Sequence, residues 1–515
     1  ASSRFVDIIP EINLPGHSLA ALASYPNLSC SGGSYNIPTG NLGIIADPFC
    51  AGNDSTFLFF EGIVDEVIDL FPADFISLNG RTFIMDKWRN CDKCQARIKH
   101  EGLKNELELR KYFVNRVEKY ILSKGKNIIA AGSFLINDVS RGAMILSSRK
   151  RELKEALEKG YIAIYFSSEE NCFSCKQTEL KTEPKAFDKL VTLEDIYSST
   201  IFADTLSTSI FNKIIGAQSI MRSDYLQDGD MVEYMLLPRL CAYAEKLWTF
   251  SEKKNFNNFV DRLISHYEWL DRQDINFYIP APAGLKDVML LDTGIMVNIE
   301  PPLKGLEVHY TLDGSEPTIN SPKFESPIII NEPKVLKAKS FTPHKKSSRT
   351  NIARFTKNPP KEAHNNLVNL YPGIKYTYLT GKIRTLENID LLVPINSGYI
   401  NEIKIPGNVR EDYFGIIYEG YIFVKDGGIY SFHLSSDDGT RLYIDEDVII
   451  DNDGIHHQGW VSGQVSLKAG YHSFRLEYFD FNMGQHLDIE IEGPGISRSK
   501  IPPTMFFYSK KQKLF

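Results

Sequence analysis

The sequence is poor in the residues that usually announce specialised chemistry. Seven cysteines in 515 residues are too few for a disulfide scaffold, and only four tryptophans are present. No apolar run is long enough to span a bilayer. Positive charge is concentrated at Lys510-Lys511-Gln512-Lys513, which reads as a solvated tail and not as a nucleic-acid site. The net charge of -7 is mild for this length, so composition gives no reason to expect a nucleic-acid partner. The opening ASSRFVDIIPEI lacks a signal-peptide pattern, because a strand-like run begins by Phe5. The chain is therefore expected to open inside a domain.

What is present points to about three domains. From residue 1 to about 275, short apolar runs (FVDIIPEI, DFISL, NIIAAG, GAMILSS, YIAIYFS, IIGAQSIM) alternate with helical segments. In EGIVDEVIDLFP, Ile63, Val64, Val67, Ile68 and Phe71 recur at helical spacing. Strands alternating with helices predict a parallel sheet closed by crossovers. Six strands are visible, two short of a (β/α)8 barrel. Residues 276–357 lose the helical period and carry alternating strands with the turn-rich TLDGSEPT, which predicts a small β-sandwich. A polar linker leads to residues 365–515, again all β, where alternating aromatics and Gly/Asp turns predict a larger sandwich.

The cysteines are spaced suggestively. Cys30 and Cys50 flank a Gly/Ser/Asn-rich loop that they could bridge, while CDKC (Cys91, Cys94) and CFSC (Cys172, Cys175) have zinc or redox spacing. No nearby histidine completes either pair, which favours loop staples or free thiols over a metal set.

The stretches DIIPEINLPGHSLAALASYPNLSC, CAGNDSTFLFFEGIVDEVIDLFP, IIGAQS and VEYMLLPRLCAYAEKLW resemble family 20 glycoside hydrolases, the β-N-acetylhexosaminidases. HYTLDGSEPT and LKAKSF resemble the immunoglobulin-like C-terminal domain of such enzymes. GIYSFHLSSDDGTRLYIDEDVIIDNDG resembles the protective-antigen-type lectin sandwich. The resemblance implies a TIM-type barrel lacking its first two strands in this chain, followed by two β-sandwiches. It also implies a substrate-assisted reaction, in which the sugar's acetamide attacks the anomeric carbon. An aspartate holds the acetamide, and the next residue, a glutamic acid, protonates the leaving oxygen.

At those two positions this chain has Arg81 and Thr82. A threonine hydroxyl cannot serve as a general acid near neutral pH, and a guanidinium opposes a cationic transition state. The family's sugar-stacking tryptophans align with Ala131, Ser147 and Arg222, its strand-seven tyrosine and aspartate are lost within NCFSCKQ, and a glutamate is shortened to Asp224. His17 survives, a proton relay in the family, but it reads here as a packing histidine now that the acid it served is Thr82. Glu11 reads as a strand-end hydrogen-bond acceptor.

In the last domain, Asp437 and Asp438 precede Gly439, where some lectin relatives hold calcium, and Asp453 offers a further hard oxygen. Trp460 is a candidate sugar-stacking face, against the plainer reading of a loop tryptophan packed on its own sandwich. The resulting expectation is a catalytically inactive, extracytoplasmic glycan-binding or scaffold protein. It would require no cofactor beyond possible calcium, and a protein partner or upstream segment would complete the barrel. The alternatives are an active hexosaminidase with relocated carboxylates (Glu11 or Asp224) and a purely structural subunit of a membrane-associated complex.

Overall fold

The computed structural model describes residues 1–33, 35, 47–80, 85–131, 139–166, 171–199, 212–290, 294–407, 412–482 and 484–510. Two compact units divide the chain, Ala1–Gln177 with Val191–Phe256, and Thr178–Leu190 with Asn257–Phe515.

The first unit is built on six parallel strands: β1 (Glu11–Asn13), β2 (Phe75–Asn79), β3 (Asn127–Ala131), β4 (Met144–Ser147), β5 (Ile162–Phe166) and β6 (Ile214–Gln218). Each strand pairs with its predecessor in the chain, which is the progression of a (β/α)8 barrel with six of its eight strands. The registers are continuous, with Ser77 opposite Glu11, Phe75 opposite Asn127 and Met144 opposite Ile162. Strand alternation sorts the side chains. Ile76, Leu78, Ile128, Ala130 and Ile145 join the core shared with the helices, whereas Ile129, Ala131, Leu146 and Phe166 form a separate cluster on the other face. The first strand is shorter than FVDIIPEI suggests: only Glu11–Asn13 pair, and Phe5, Val6 and Ile8 are exposed. Among the described residues, nothing lies on the far side of β1 to extend the ladder.

Helix α1 (Asp54–Leu70) starts at Asn53, whose side chain accepts from the Ser55 amide. Helix α2 (Asp92–His100) starts at Cys91, and helix α3 (Glu106–Ser123) at Asn105, which accepts from the amides of Leu107 and Glu108. Such caps satisfy amides that have no partner inside the helix. Phe57 and Phe60 of α1 meet Phe113 of α3 at 5.1 and 5.7 Å. Trp88 is fully buried beside them, and its indole donates to the Phe49 carbonyl at 2.9 Å. Cys172 and Cys175 form a disulfide, the local staple that CFSC allowed. The reading of CDKC as an isolated pair is corrected, because Cys91 and Cys94 meet Cys30 and Cys50.

In the second unit, β7 (Glu307–Thr311), β8 (Lys334–Phe341) and β9 (Asn351–Thr356) pair antiparallel over Val308, Leu336, Ala353 and Phe355. The larger sandwich centres on β10 (Phe414–Val424), β11 (Gly428–Asp437) and β12 (Gly470–Asp480). Strands β10 and β12 pair along their full length, from Phe414 opposite Asp480 to Val424 opposite Gly470. Its core is aromatic and aliphatic, including Phe414, Tyr418, Phe432, Phe474 and Tyr478.

One buried ion pair in this sandwich predicts a measurable titration. His472 donates to Asp445 at 2.6 Å and its other ring nitrogen meets the Lys468 carbonyl at 2.8 Å. Burial alone would lower the histidine pKa, but those two acceptors outweigh it and raise the pKa. Burial would raise Asp445, yet His472 and the Ser473 amide hold it below the usual carboxylate value. The histidine's contribution to stability is complete below pH 6.5 and fades as pH rises through its raised pKa. The aspartate's is complete above pH 3.8 and fades as pH falls through its lowered one. The His472 Cε1 proton is expected to titrate with a midpoint above 6.5 by NMR, and Asp445→Asn should bring the midpoint down. A midpoint at or below 6.5 in the parent protein would contradict this reading.

Candidate functional site

Two places in the fold could carry function, the strand ends of the parallel sheet and one end of the larger sandwich. At the sheet, β2 ends at Asn79 in register with Asn13 and Ala131. Gly80 follows, and Arg81 and Thr82 after it lie outside the described residues. The first carboxylate after β2 is Asp86, which opens the short helix Asp86–Arg89 and is paired with Arg89 at 2.8 Å.

Two other carboxylates near the strand ends among the described residues are also engaged. Glu11 accepts from Ser77 at 2.9 Å and from Asn79 at 3.0 Å, as a strand-end acceptor does. Asp224 is paired with Arg222 at 3.3 Å. Ala131 is buried and presents only a methyl group. Ser147 is buried and donates to Glu152. None of these side chains offers an aromatic face. The expectation that His17 packs is corrected: it is exposed, with a positive φ of 54°.

The loop after β5 is held by a fully buried cation. Arg239 donates to the carbonyls of Phe173 at 2.7 Å, Val191 at 2.9 Å and Cys175 at 3.1 Å. The loop's disulfide and this guanidinium fix the backbone where a sugar-binding tyrosine and aspartate were expected to be missing.

At the sandwich end, β11 terminates in Asp437 and continues through a cis peptide to Asp438. Asp438 is buried and accepts from the amides of His456 at 3.1 Å and Phe481 at 2.7 Å. The sequence reading missed the third member, Asp480, which ends β12. It is 2 % exposed, and neither carboxylate oxygen has a hydrogen-bond partner of full geometry. Burial, and then the charges of Asp438, Asp412 and Asp437, push its pKa up to about 7, with only slight relief from the Tyr413 amide. Burial and Asp438 push Asp437 the same way. An unpaired buried carboxylate beside two others is costly unless a proton or a cation joins it.

Asp453 does not belong to this group, which corrects its reading as a metal ligand. One of its oxygens accepts from the amides of Leu386 and Gly454, and the other faces Arg441 at 3.5 Å. The loop placement of Trp460 is corrected too. It lies in the strand Gly459–Leu467 opposite Ser435, about half exposed, with the Arg498 guanidinium 4.9 Å from its ring centre. One ring face is therefore occupied, so at most the other could receive a sugar.

Residues 1–251 match the family described as glycosyl hydrolase family 20, catalytic domain. Residues 291–352 match the chitobiase/beta-hexosaminidase C-terminal domain, and residues 375–504 the PA14 domain. The chain is 28% identical over 498 residues to a beta-hexosaminidase of Porphyromonas gingivalis, covering 92% of this chain and 62% of that protein. It is 23% identical over 274 residues to a beta-hexosaminidase of Akkermansia muciniphila, covering 52% and 55% of the two. A crystal structure of a beta-N-acetylhexosaminidase from Bacteroides fragilis is similar at 27% identity and a TM-score of 0.46, covering 54% of this chain and 55% of that one. This chain thus spans less than two thirds of the length of these relatives.

Proposed function

Residues 1–251 of this chain belong to glycosyl hydrolase family 20, and from that premise we propose that this β-hexosaminidase-like protein does not hydrolyse glycosides. We read it as a secreted or cell-surface protein that binds glycans or scaffolds a larger assembly. One observation carries the proposal: no acid follows β2 until Asp86, and Asp86 is paired with Arg89. Glu11 and Asp224, two carboxylates that could have replaced the missing pair, each have partners of their own. The Cys172–Cys175 disulfide supports an oxidising, extracytoplasmic setting. The edges of β1 and β6 remain unpaired among the described residues, which supports a protein partner or a further segment covering them. The test is turnover of a chromogenic N-acetylglucosaminide by the full gene product. A rate equal to an enzyme-free blank supports the proposal, and a rate clearly above it sinks it.

On this reading, glycan binding belongs to the last domain. Asp437, Asp438 and Asp480 are the candidate calcium ligands on this reading, because hard carboxylate oxygens suit the ion and both Asp480 oxygens are buried without a hydrogen bond of full geometry. Bound there, calcium would supply coordination positions for sugar hydroxyls, while the protein holds the carboxylates through the His456 and Phe481 amides. Calcium is expected to raise the melting temperature at neutral pH, with a gain of about 2.7 kcal/mol at a hundred times the dissociation constant. Asp480→Asn should abolish that shift while leaving the fold intact. An equal calcium shift in parent and variant would remove Asp480 from the site. A glycan array probed with and without calcium then reads binding directly.

A further inference from the structure

We propose that Cys30, Cys50, Cys91 and Cys94 together hold one zinc ion as a closed, four-thiolate structural site in the first unit. Four of the seven cysteines converge from three separate segments of chain, and their sulfurs all lie within 4.8 Å of one another. The measured separations are 3.8 Å for Cys30–Cys94, 3.8 Å for Cys50–Cys91 and 3.7 Å for Cys50–Cys94. A zinc–sulfur bond of about 2.3 Å in tetrahedral geometry requires sulfur–sulfur edges of about 3.8 Å. A disulfide would require about 2 Å. Three of the six edges therefore already have the length a zinc-centred tetrahedron needs, and the other three lie within 4.8 Å.

The backbone around them is shaped for the same purpose. Cys91 is the N-cap of α2 and Cys94 lies in its first turn, where the helix amides favour a thiolate over a thiol. Cys50 sits on a turn that packs directly against that first turn. A Cβ on Gly52 would lie 2.1 Å from the Lys93 carbonyl carbon and 2.4 Å from the Cys94 nitrogen. Only glycine permits two backbones to approach so closely, and that approach brings Cys50 to the pair. Cys30 completes the set from the rim. It is half-buried, whereas the other three are buried. A cleft lined by Cys30, Tyr35, Asp47, Lys87 and Cys91 leaves an access path.

The placement indicates what the ion does. Cys30 and Cys50 bracket the loop after β1, and Cys91 and Cys94 follow the segment leaving β2. One zinc would clamp together the two loops that leave adjacent strand ends. A fully thiolate, coordinatively closed set is structural and not catalytic. The clamp is independent of whether the barrel hydrolyses anything.

The test uses the full chain, purified under mild reduction without added metal. Elemental analysis is expected to find one zinc per chain after dialysis, and an organomercurial should release it as four thiols react. Zinc-stripped protein given cobalt alone should show the intense visible bands and sulfur charge-transfer absorption of tetrahedral thiolate cobalt. Cys30→Ser, at the rim, should fold yet weaken that charge-transfer band and lose most of the retained zinc. Cys94→Ser should abolish stoichiometric zinc. Two results overturn the proposal. One is metal-free protein whose mass is about 6 Da below the fully reduced value, meaning two disulfides in addition to Cys172–Cys175. The other is four thiols that react freely in protein that takes up neither zinc nor cobalt.

Discussion

Full gene product incubated with a chromogenic N-acetylglucosaminide is expected to release the chromophore no faster than an enzyme-free blank, and Arg81→Asp with Thr82→Glu is expected to leave it there. Losing the general acid alone removes on the order of 10²–10⁴-fold in rate. A guanidinium where an anion should brace the acetamide adds an electrostatic penalty, because its charge opposes the cation forming at the anomeric carbon. Restoring both acids repairs only that part. The buried methyl of Ala131, the Glu152-bound hydroxyl of Ser147 and the Asp224-paired guanidinium of Arg222 offer no aromatic floor on which a pyranose could be held. Without that positioning, a restored acid has no fixed substrate to protonate. Turnover gained by the double variant would show that the sugar still binds at the strand ends, and would make the two substitutions the whole of the loss.

The second large effect is on stability. Arg239→Ala is expected to cost about 3–5 kcal/mol, the sum over two or three buried carbonyls left without a donor at about 1–3 kcal/mol each. The guanidinium is fully buried and its donors are spread over the carbonyls of Cys172, Phe173, Cys175, Val191 and Met235. Truncation leaves those carbonyls in a dry interior, at about 1–3 kcal/mol for each that finds no water. It also takes the cation from beside the Phe173 ring, 5.6 Å away. Arg239→Lys should recover only part of the loss, because an ammonium cannot reproduce the planar fork. Urea unfolding of the parent and both variants reads this directly. A loss under 1 kcal/mol for the alanine variant would mean that solvent fills the vacated space and the network contributes little.

How far this could be read in advance differs between the two candidate sites. The loss of the acid pair was legible because it is a matter of identity: DFISL could only be a buried strand, and the residues after it are what they are. The aspartate cluster was half legible. Asp437 and Asp438 stand out as neighbours before a glycine, and closeness in sequence nominates Asp453 as their partner. The fold turns Asp453 toward Leu386 and Gly454 and brings in Asp480 from the end of the neighbouring strand. HHQGWVSG has no strand alternation that would mark Trp460 as a strand residue. In the fold it is the second residue of a paired strand and shares its ring with Arg498.

The cysteines mark the same boundary more sharply. Read along the chain, CDKC lacks a nearby histidine, since a local pattern can only nominate local partners. Its two missing ligands are Cys30 and Cys50, and only the packing of the turn at Gly52 against α2 brings them to it. Strand and helix periods, turn residues and the chemistry of each side chain are local properties, so the amino-acid order determined the parallel barrel segment, the two sandwiches and the missing acids. Which distant carboxylates and thiols meet depends on loop paths and close backbone contacts that leave no periodic trace. That was decided only by the tertiary structure.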